Sequence, residues 1–592
     1  MARLNAAPAI VVLGAGALPV AERIRARYAG ATIHALAGRA EGDVAFTELG
    51  AQLRALYARG NPIVALCAAG IVIRCVAPCL ADKGVEPPVL AVAEDGSAVV
   101  PLLGGLTGAN LLAREIADTL GIAPAITTSG ELRFGACVLN PPEGYALADL
   151  GAGKRFVSDL LAGASTRIDG DAPWLDGVAL PVDPSAAHAV RITPQAGHAA
   201  AGELVIHPRS VVVAVTCAPE DAPPPATATA DGLDDDPLAR RVLAALAAAG
   251  LSPLALAALV APARLIRDAA LARGAQALGV PLRFVDADDQ DKNADARTLL
   301  DAALATASIA LSTPPPASDA GLAIAIADAP VDATRLGRAR GTLTVLGLGP
   351  GSAELMTPAA RAALAGATDI LGYATYVRMA GPFRADQRVH ETDNREELQR
   401  ARHAFELAAQ GRQVTMVSSG DPGVFAMAAA VLEALDGSTG SEADAWADVA
   451  LEVVPGVSAA MATAAQAGAP LGHDFCVISL SDNLKPWGVI EERLALAARA
   501  DLVMAFYNPV SKARPWQLDR ALEIVRAVRA ADTVVVLGRD IGRPGATLRS
   551  TTLGELRSDQ VDMRTMVIVG SSKTRRFASG EREWIYTPRF YG

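Results

Sequence analysis

The chain is poor in the features that would tie it to nucleic acid, a membrane or an oxidising compartment. Its 53 Lys and Arg are outnumbered by 64 Asp and Glu, for a formal charge of −11. That balance argues against nucleic acid, whose binding needs a basic stripe to displace counterions. No run approaches the ~18 apolar residues of a membrane span. The apolar start from Ala6 to Val20 imitates a secretory signal, but Gly14, Gly16 and Pro19 interrupt it and Glu22 and Arg23 continue an amphipathic pattern. A strand, a turn and a helix fit it better. Six cysteines in 592 residues are too sparse for a disulfide framework, and unpaired thiols suit a reducing cytoplasm, the expected location. Cys75 and Cys79 could share a helix face, yet no second pair and no nearby His completes a zinc set, so no metal is expected.

Half the residues are hydrophobic but only 4% are aromatic, so Ala must carry much of any core. The length suggests about four compact domains. Strands and helices alternate from residue 9 onward, which predicts an α/β, multidomain chain. Gly14-Ala-Gly16 after the first strand imitates a dinucleotide fingerprint, but Pro19 and the His34 of the next strand fit it poorly.

The most informative stretch is Val417-Ser-Ser-Gly-Asp-Pro-Gly-Val-Phe425, an apolar strand running into two hydroxyls, a Gly-Asp-Pro-Gly turn and an Ala-rich helix from Phe425. Ligands bind where loops leave the carboxyl ends of strands in open α/β sheets. Asp421 then either caps the helix or holds a ligand hydroxyl or ammonium. Val345 to Gly351, Glu452 to Ala460 and Ala505 to Pro509 repeat the pattern of an apolar strand ending in a tight or polar turn. Four such strand ends within one domain's length imply one crevice.

These motifs, with Pro470-Leu-Gly-His-Asp-Phe475, Ile478-Ser-Leu-Ser-Asp482, Tyr507-Asn-Pro-Val-Ser-Lys512 and Arg514-Pro-Trp-Gln517, resemble the tetrapyrrole-methylase superfamily. Its members use S-adenosylmethionine (SAM). Within it, residues 342–592 look like the precorrin-3B carbon-17 methyltransferases (CobJ type) of cobalamin biosynthesis. The resemblance implies a two-lobed fold, with lobes of about 342–456 and 457–592. It also implies a tetrapyrrole substrate, no nucleic-acid or membrane partner, and a homodimer. It places SAM against Pro350, Ser419, Gly420, Asp421, Val424, Ser458, Ala459 and Asn508. Gly349, Lys485, Lys512, Arg514 and Arg539 are implied on the tetrapyrrole side, where Arg forks and Lys suit the substrate's carboxylates. His473 and Asp474 are the candidates for moving protons during ring contraction.

The amino-terminal half resembles the CbiG family through Ala68 to Arg74, Asp82-Lys83, Leu102 to Asn110 and Ile126-Thr-Thr128. Regions 1–85, 86–205 and 206–330 are expected, the last shortened and carrying a disordered insertion at 218–237, followed by a linker at 331–341. That family opens a corrinoid lactone in the anaerobic route. Its Gly-rich loop carries a His where this chain has Gly105, so a base to activate water is missing. Asn110, Thr127, Thr128, Arg74 and Lys83 remain as polar candidates, and this half reads either as a lactone hydrolase that makes the chain bifunctional or as a non-catalytic corrinoid-binding module.

Overall fold

The computed structural model describes residues 7–590 except 29, 81–85, 217–235, 287–294, 312–320, 382, 384–385, 394–395 and 512. Asp82, Lys83, Lys512, nearly all of the expected insertion and the loop after Leu311 therefore lie outside the described residues. Two compact units divide the chain, Met1–Arg340 with Phe383–Asp386, and Gly341–Pro382 with Gln387–Gly592. Among the described residues no helix is long and apolar enough to cross a membrane.

The first unit holds three sheets. The first runs in the order Val44–Phe46, Thr32–Leu36, Ala9–Val12, Ile63–Leu66, Val89–Val92, Val99–Leu103, parallel except for its last strand. Its strands are nearly continuous apolar runs because helices cover both faces. Leu112, Ile116 and Ala117 of helix Ala109–Leu120 are fully buried against it. The expected boundary at residue 85 therefore falls inside this sheet, whose last two strands and covering helix come later. A short, Pro- and Gly-rich connection between strands imitates a domain boundary there.

A four-stranded sheet of Tyr145–Leu147, Glu203–Pro208, His188–Ile192 and Thr166–Asp169 follows. The third sheet consists of Leu282–Val285, Leu256–Pro262, Val211–Val215 and Leu322–Ile326. Leu256–Pro262 is fully buried, yet its Ala-rich sequence carries no alternation to reveal a strand. The stretch at 331–341 is not a loose linker. Leu336 is fully buried, and Arg283 donates to the carbonyls of Thr334, Leu336 and Gly337.

The second unit has two lobes. In the first, five parallel strands take the order Arg388–Thr392, Asp369–Tyr373, Gln413–Ser418, Thr342–Gly347, Ala450–Val454. All five carboxyl ends thus share one edge. In the second, the order is Phe475–Ser479, Val503–Tyr507, Thr565–Val569, Val534–Arg539, Thr547–Thr552. Its first two strands are parallel and the remaining pairs antiparallel, so Ser479, Tyr507 and Arg539 end on the same edge. The polar stretch from Ser438 to Ala447, which reads as a surface loop, contains helix Gly440–Ala447. Trp446 anchors it, buried and stacked on Phe405 with centroids 4.8 Å apart, and Arg402 pairs with Glu442.

Candidate active site

Three first-lobe strands deliver glycines to one point. A Cβ on Gly347 would lie 2.3 Å from the Gly420 carbonyl oxygen and 2.9 Å from the Gly456 Cα, and one on Gly456 would lie 2.1 Å from that same oxygen. Only glycine fits at these two positions. Gly349 and Gly420 exchange backbone hydrogen bonds of 3.1 and 2.8 Å, and both take positive φ, +74° and +70°. The turns at Pro350, Asp421 and Pro455 are thereby locked into one rim.

Asp421 fastens that rim. Its Oδ1 accepts the Gly423 N–H at 2.8 Å and its Oδ2 accepts the Gly456 N–H at 3.0 Å. It does not cap the following helix, which runs Met427–Asp436 from Ala426. The sequence-based start at Phe425 is two residues early, because Phe425 takes φ +54° and stands half exposed. Ser418, buried one residue before Ser419, accepts the Met427 N–H instead.

The second lobe meets this rim. Ser458 caps helix Ala459–Ala467, its Oγ accepting from Met461. The Ser458 Cα and the Ala459 nitrogen lie 3.6 and 3.9 Å from where a Gly420 Cβ would stand. Tyr507 packs on Phe425 at 5.3 Å, and its hydroxyl accepts the Ala460 N–H. Asn508, in left-handed conformation, donates to Ser479 Oγ at 3.1 Å. Lys485 holds its ammonium 5.8 Å from the Phe425 ring centroid, and burial, then the nearby Arg493, lower its pKa. Pro350, Ser419, Gly420, Asp421, Ser458, Ala459 and Lys485 thus gather about one crevice. Val424, just after the turn, is half-buried. Asn508 lies at the carboxyl end of the Val503–Tyr507 strand.

Other expected residues are placed differently. Arg514 is buried and donates to the Asn508 carbonyl, so it shapes the turn. Arg539 is held by Asp562 and Asp540 at 2.8 and 2.9 Å, and the hydrogen bond it donates to Asp562 raises its pKa most. His473 and Asp474 precede strand Phe475–Ser479, and the Asp474 carbonyl accepts from Val503 at the start of the next strand. They therefore stand at the amino ends of the strands, a strand length or roughly 15 Å from Asn508. The structure does not bring them to the crevice.

Residue order alone gave no sign of two side chains. Arg543, in the turn after Val534–Arg539, donates from Nε to the Pro350 carbonyl at 2.9 Å and from a terminal nitrogen to Ser419 Oγ at 3.3 Å. In the first unit, Glu131 is buried beside the Gly-rich loop. Asn110 donates to its Oε1 at 2.7 Å and Arg114 to its Oε2 at 2.6 Å, while Thr128 takes a second Asn110 hydrogen at 2.9 Å. A Cβ on Gly105 would lie 3.8 Å from the Asn110 amide nitrogen. His207, one of the imidazoles that could stand in for the missing loop His, is buried and bonds the Thr193 carbonyl through Nδ1. No cluster of potential metal ligands occurs among the described residues.

A second lobe set against a first-lobe rim of interlocked glycine turns defines the class: an α/β enzyme with a crevice at the carboxyl ends of its strands. Residues 342–557 match the Tetrapyrrole (Corrin/Porphyrin) Methylases, and residues 51–131 match Cobalamin synthesis G N-terminal. A precorrin-3B C(17)-methyltransferase from Sinorhizobium sp is 53% identical over 252 residues, covering 42% of this chain and 97% of the relative. The cobalamin biosynthesis protein CobIJ of Mycobacterium tuberculosis is 48% identical over 255 residues, and the match spans 48% of that protein. A probable cobalt-factor III C(17)-methyltransferase of Salmonella typhimurium is 42% identical over 39% of this chain and 93% of the relative. The solved structure of the methyltransferase CobJ aligns at 50% identity and a TM-score of 0.39, covering 42% of this chain and all of that one. The chain belongs to the tetrapyrrole (corrin/porphyrin) methylases.

Proposed function

We propose that the second unit transfers a methyl group from SAM to carbon 17 of precorrin-3B or cobalt-factor III, with ring contraction, in cobalamin biosynthesis. The observation that carries this reading is the 53% identity to a precorrin-3B C(17)-methyltransferase along nearly its whole length. The donor set of the crevice suits SAM. The three glycines let the main chain crowd at the rim, which suits a flat adenine or an amino-acid head, and the amino end of helix Ala459–Ala467 lies beside it. Pro350, Ser419, Gly420, Asp421, Val424, Ser458, Ala459 and Asn508 would hold it.

Bound SAM would supply a sulfonium methyl group that passes to the ring carbon by in-line displacement, its C–S bond breaking with S-adenosylhomocysteine as the leaving group and no covalent enzyme intermediate. Catalysis then rests on positioning and electrostatics. The rim locked by Gly347, Gly420 and Gly456 fixes the donor side. Lys485, partly desolvated at the Phe425 ring, meets a substrate carboxylate from the other side. Incubating the full chain with labelled SAM and each tetrapyrrole, then reading the products by mass spectrometry, tests the reading. One labelled methyl per ring is expected, and the preferred substrate decides the route.

For the first unit, we propose a corrinoid-binding role without lactone hydrolysis. The supporting observation is Glu131, which lies close to Gly105 but has one oxygen engaged by Asn110 and the other by Arg114. It is no free base.

A further inference from the structure

We propose that Arg543 is a positioning residue for the methyl-donor side of the crevice. The inference rests on the function proposed above and adds a residue to it. Arg543 belongs to the second lobe, but both its acceptors lie in first-lobe turns, the Pro350 carbonyl at 2.9 Å and the Ser419 hydroxyl at 3.3 Å. Its planar fork spans the two turns that Gly349 and Gly420 already join through the backbone.

The surroundings are cut to fit. A Cβ on Gly351 would meet the Arg543 side chain at 2.5 Å, and one on Gly542 would meet the Pro350 ring at 2.8 Å. Gly351 therefore clears the path of this side chain, and Gly542 lets the turn that carries it close on Pro350. Neighbouring arginines of the same edge are used otherwise. Arg539 and Arg564 both pair with Asp540, and Arg539 also with Asp562. The two acceptors of Arg543 are neutral oxygens, so this guanidinium orders turns where its neighbours neutralise carboxylates. Each bond is charge-assisted, and together they fix the carbonyl and hydroxyl that line the donor side.

The test measures binding of S-adenosylhomocysteine (SAH) to the full chain by calorimetry, with amide exchange at Gly349 and Gly420 and the melting temperature alongside. Arg543→Ala should weaken SAH binding by roughly 10- to 100-fold. It should also speed exchange at both glycines and leave the melting temperature within about 2 °C. Arg543→Lys keeps the charge without the fork and should recover only part of the affinity. Wild-type affinity in Arg543→Ala, or full recovery in Arg543→Lys, overturns the positioning role and leaves the methyltransferase reading standing. A large drop in melting temperature with unchanged exchange at the two glycines overturns it as well, by making Arg543 a general structural support. A wild-type chain that binds no SAH overturns both.

Discussion

The Asp421 carboxylate receives the Gly456 amide at 3.0 Å and so binds the turn after strand Gln413–Ser418 to the turn after strand Ala450–Val454. Its other oxygen closes its own turn on Gly423. An acid that ties two turns together braces the rim, and under the proposed function its loss reaches ligand binding as well.

Asp421→Ala should therefore lower both the melting temperature of the second unit and its affinity for SAH. Hydrogen bonds to a charged group contribute roughly 1.5–3 kcal/mol each. Asp421→Asn keeps one carbonyl oxygen and should fall between the two. The check is differential scanning calorimetry beside a binding titration. Lost affinity with an unmoved melting temperature would mean a ligand contact alone.

Acid should loosen the first sheet through His34. Its ring is buried, takes a hydrogen bond from Gln52 at 2.7 Å and lies 3.0 Å from the Thr32 hydroxyl. Burial pushes its pKa down to about 4. The unfolded chain takes up the proton first, near the ordinary 6.5. The contribution is thus fully present above that value and is lost as pH falls to about 4, by then amounting to about 3 kcal/mol. Amide exchange in strand Thr32–Leu36 should quicken over that window in the wild type more than in His34→Gln.

The ends of the second-lobe strands separate two expectations. His473→Ala, at the amino ends, should change kcat less than about twofold, whereas losing a proton-transfer group typically costs 10²–10⁴-fold. Lys485→Ala, at the crevice, should raise KM for the tetrapyrrole roughly tenfold with KM for SAM little changed, as the loss of one charge-assisted contact implies. Steady-state kinetics with each substrate varied in turn would decide both.

Cobalt-precorrin-5A, whose ring lactone the CbiG family opens with release of a two-carbon fragment, should yield no acetaldehyde when supplied to the full chain. The family His is replaced by Gly105, Glu131 is taken by Asn110 and Arg114, and His207 is buried. An enzyme-coupled aldehyde assay reads the product directly, and release at a rate matching methyl transfer would restore hydrolysis.

The crevice was legible in the sequence because its rim is made of local signals. Apolar strands running into glycine turns announce strand ends, and four of them predict one site. Partners distant in the chain left no such trace. Arg543 reaches Pro350 across 193 positions, and Glu131 reaches Asn110 across 21. Charge alone could not rank the arginines, since Asp540 and Asp562 consume Arg539 while Arg543 remains at the rim. The His473-Asp474 pair rests on its motif alone, although it precedes strand Phe475–Ser479 and so stands at the amino end, away from the carboxyl ends where ligands bind. Alanine blurred the strand at Leu256–Pro262, whose burial on both faces removes the alternation that marks a strand.

NMR of the product made by the full chain from methyl-labelled SAM reads the site of methyl transfer by the second unit directly. A single labelled methyl is expected on carbon 17 of a ring-contracted tetrapyrrole, lost in the crevice variant Gly456→Ala, whose added Cβ would lie 2.1 Å from the Gly420 oxygen. A label on another carbon, or one incorporated equally by Gly456→Ala, would contradict it.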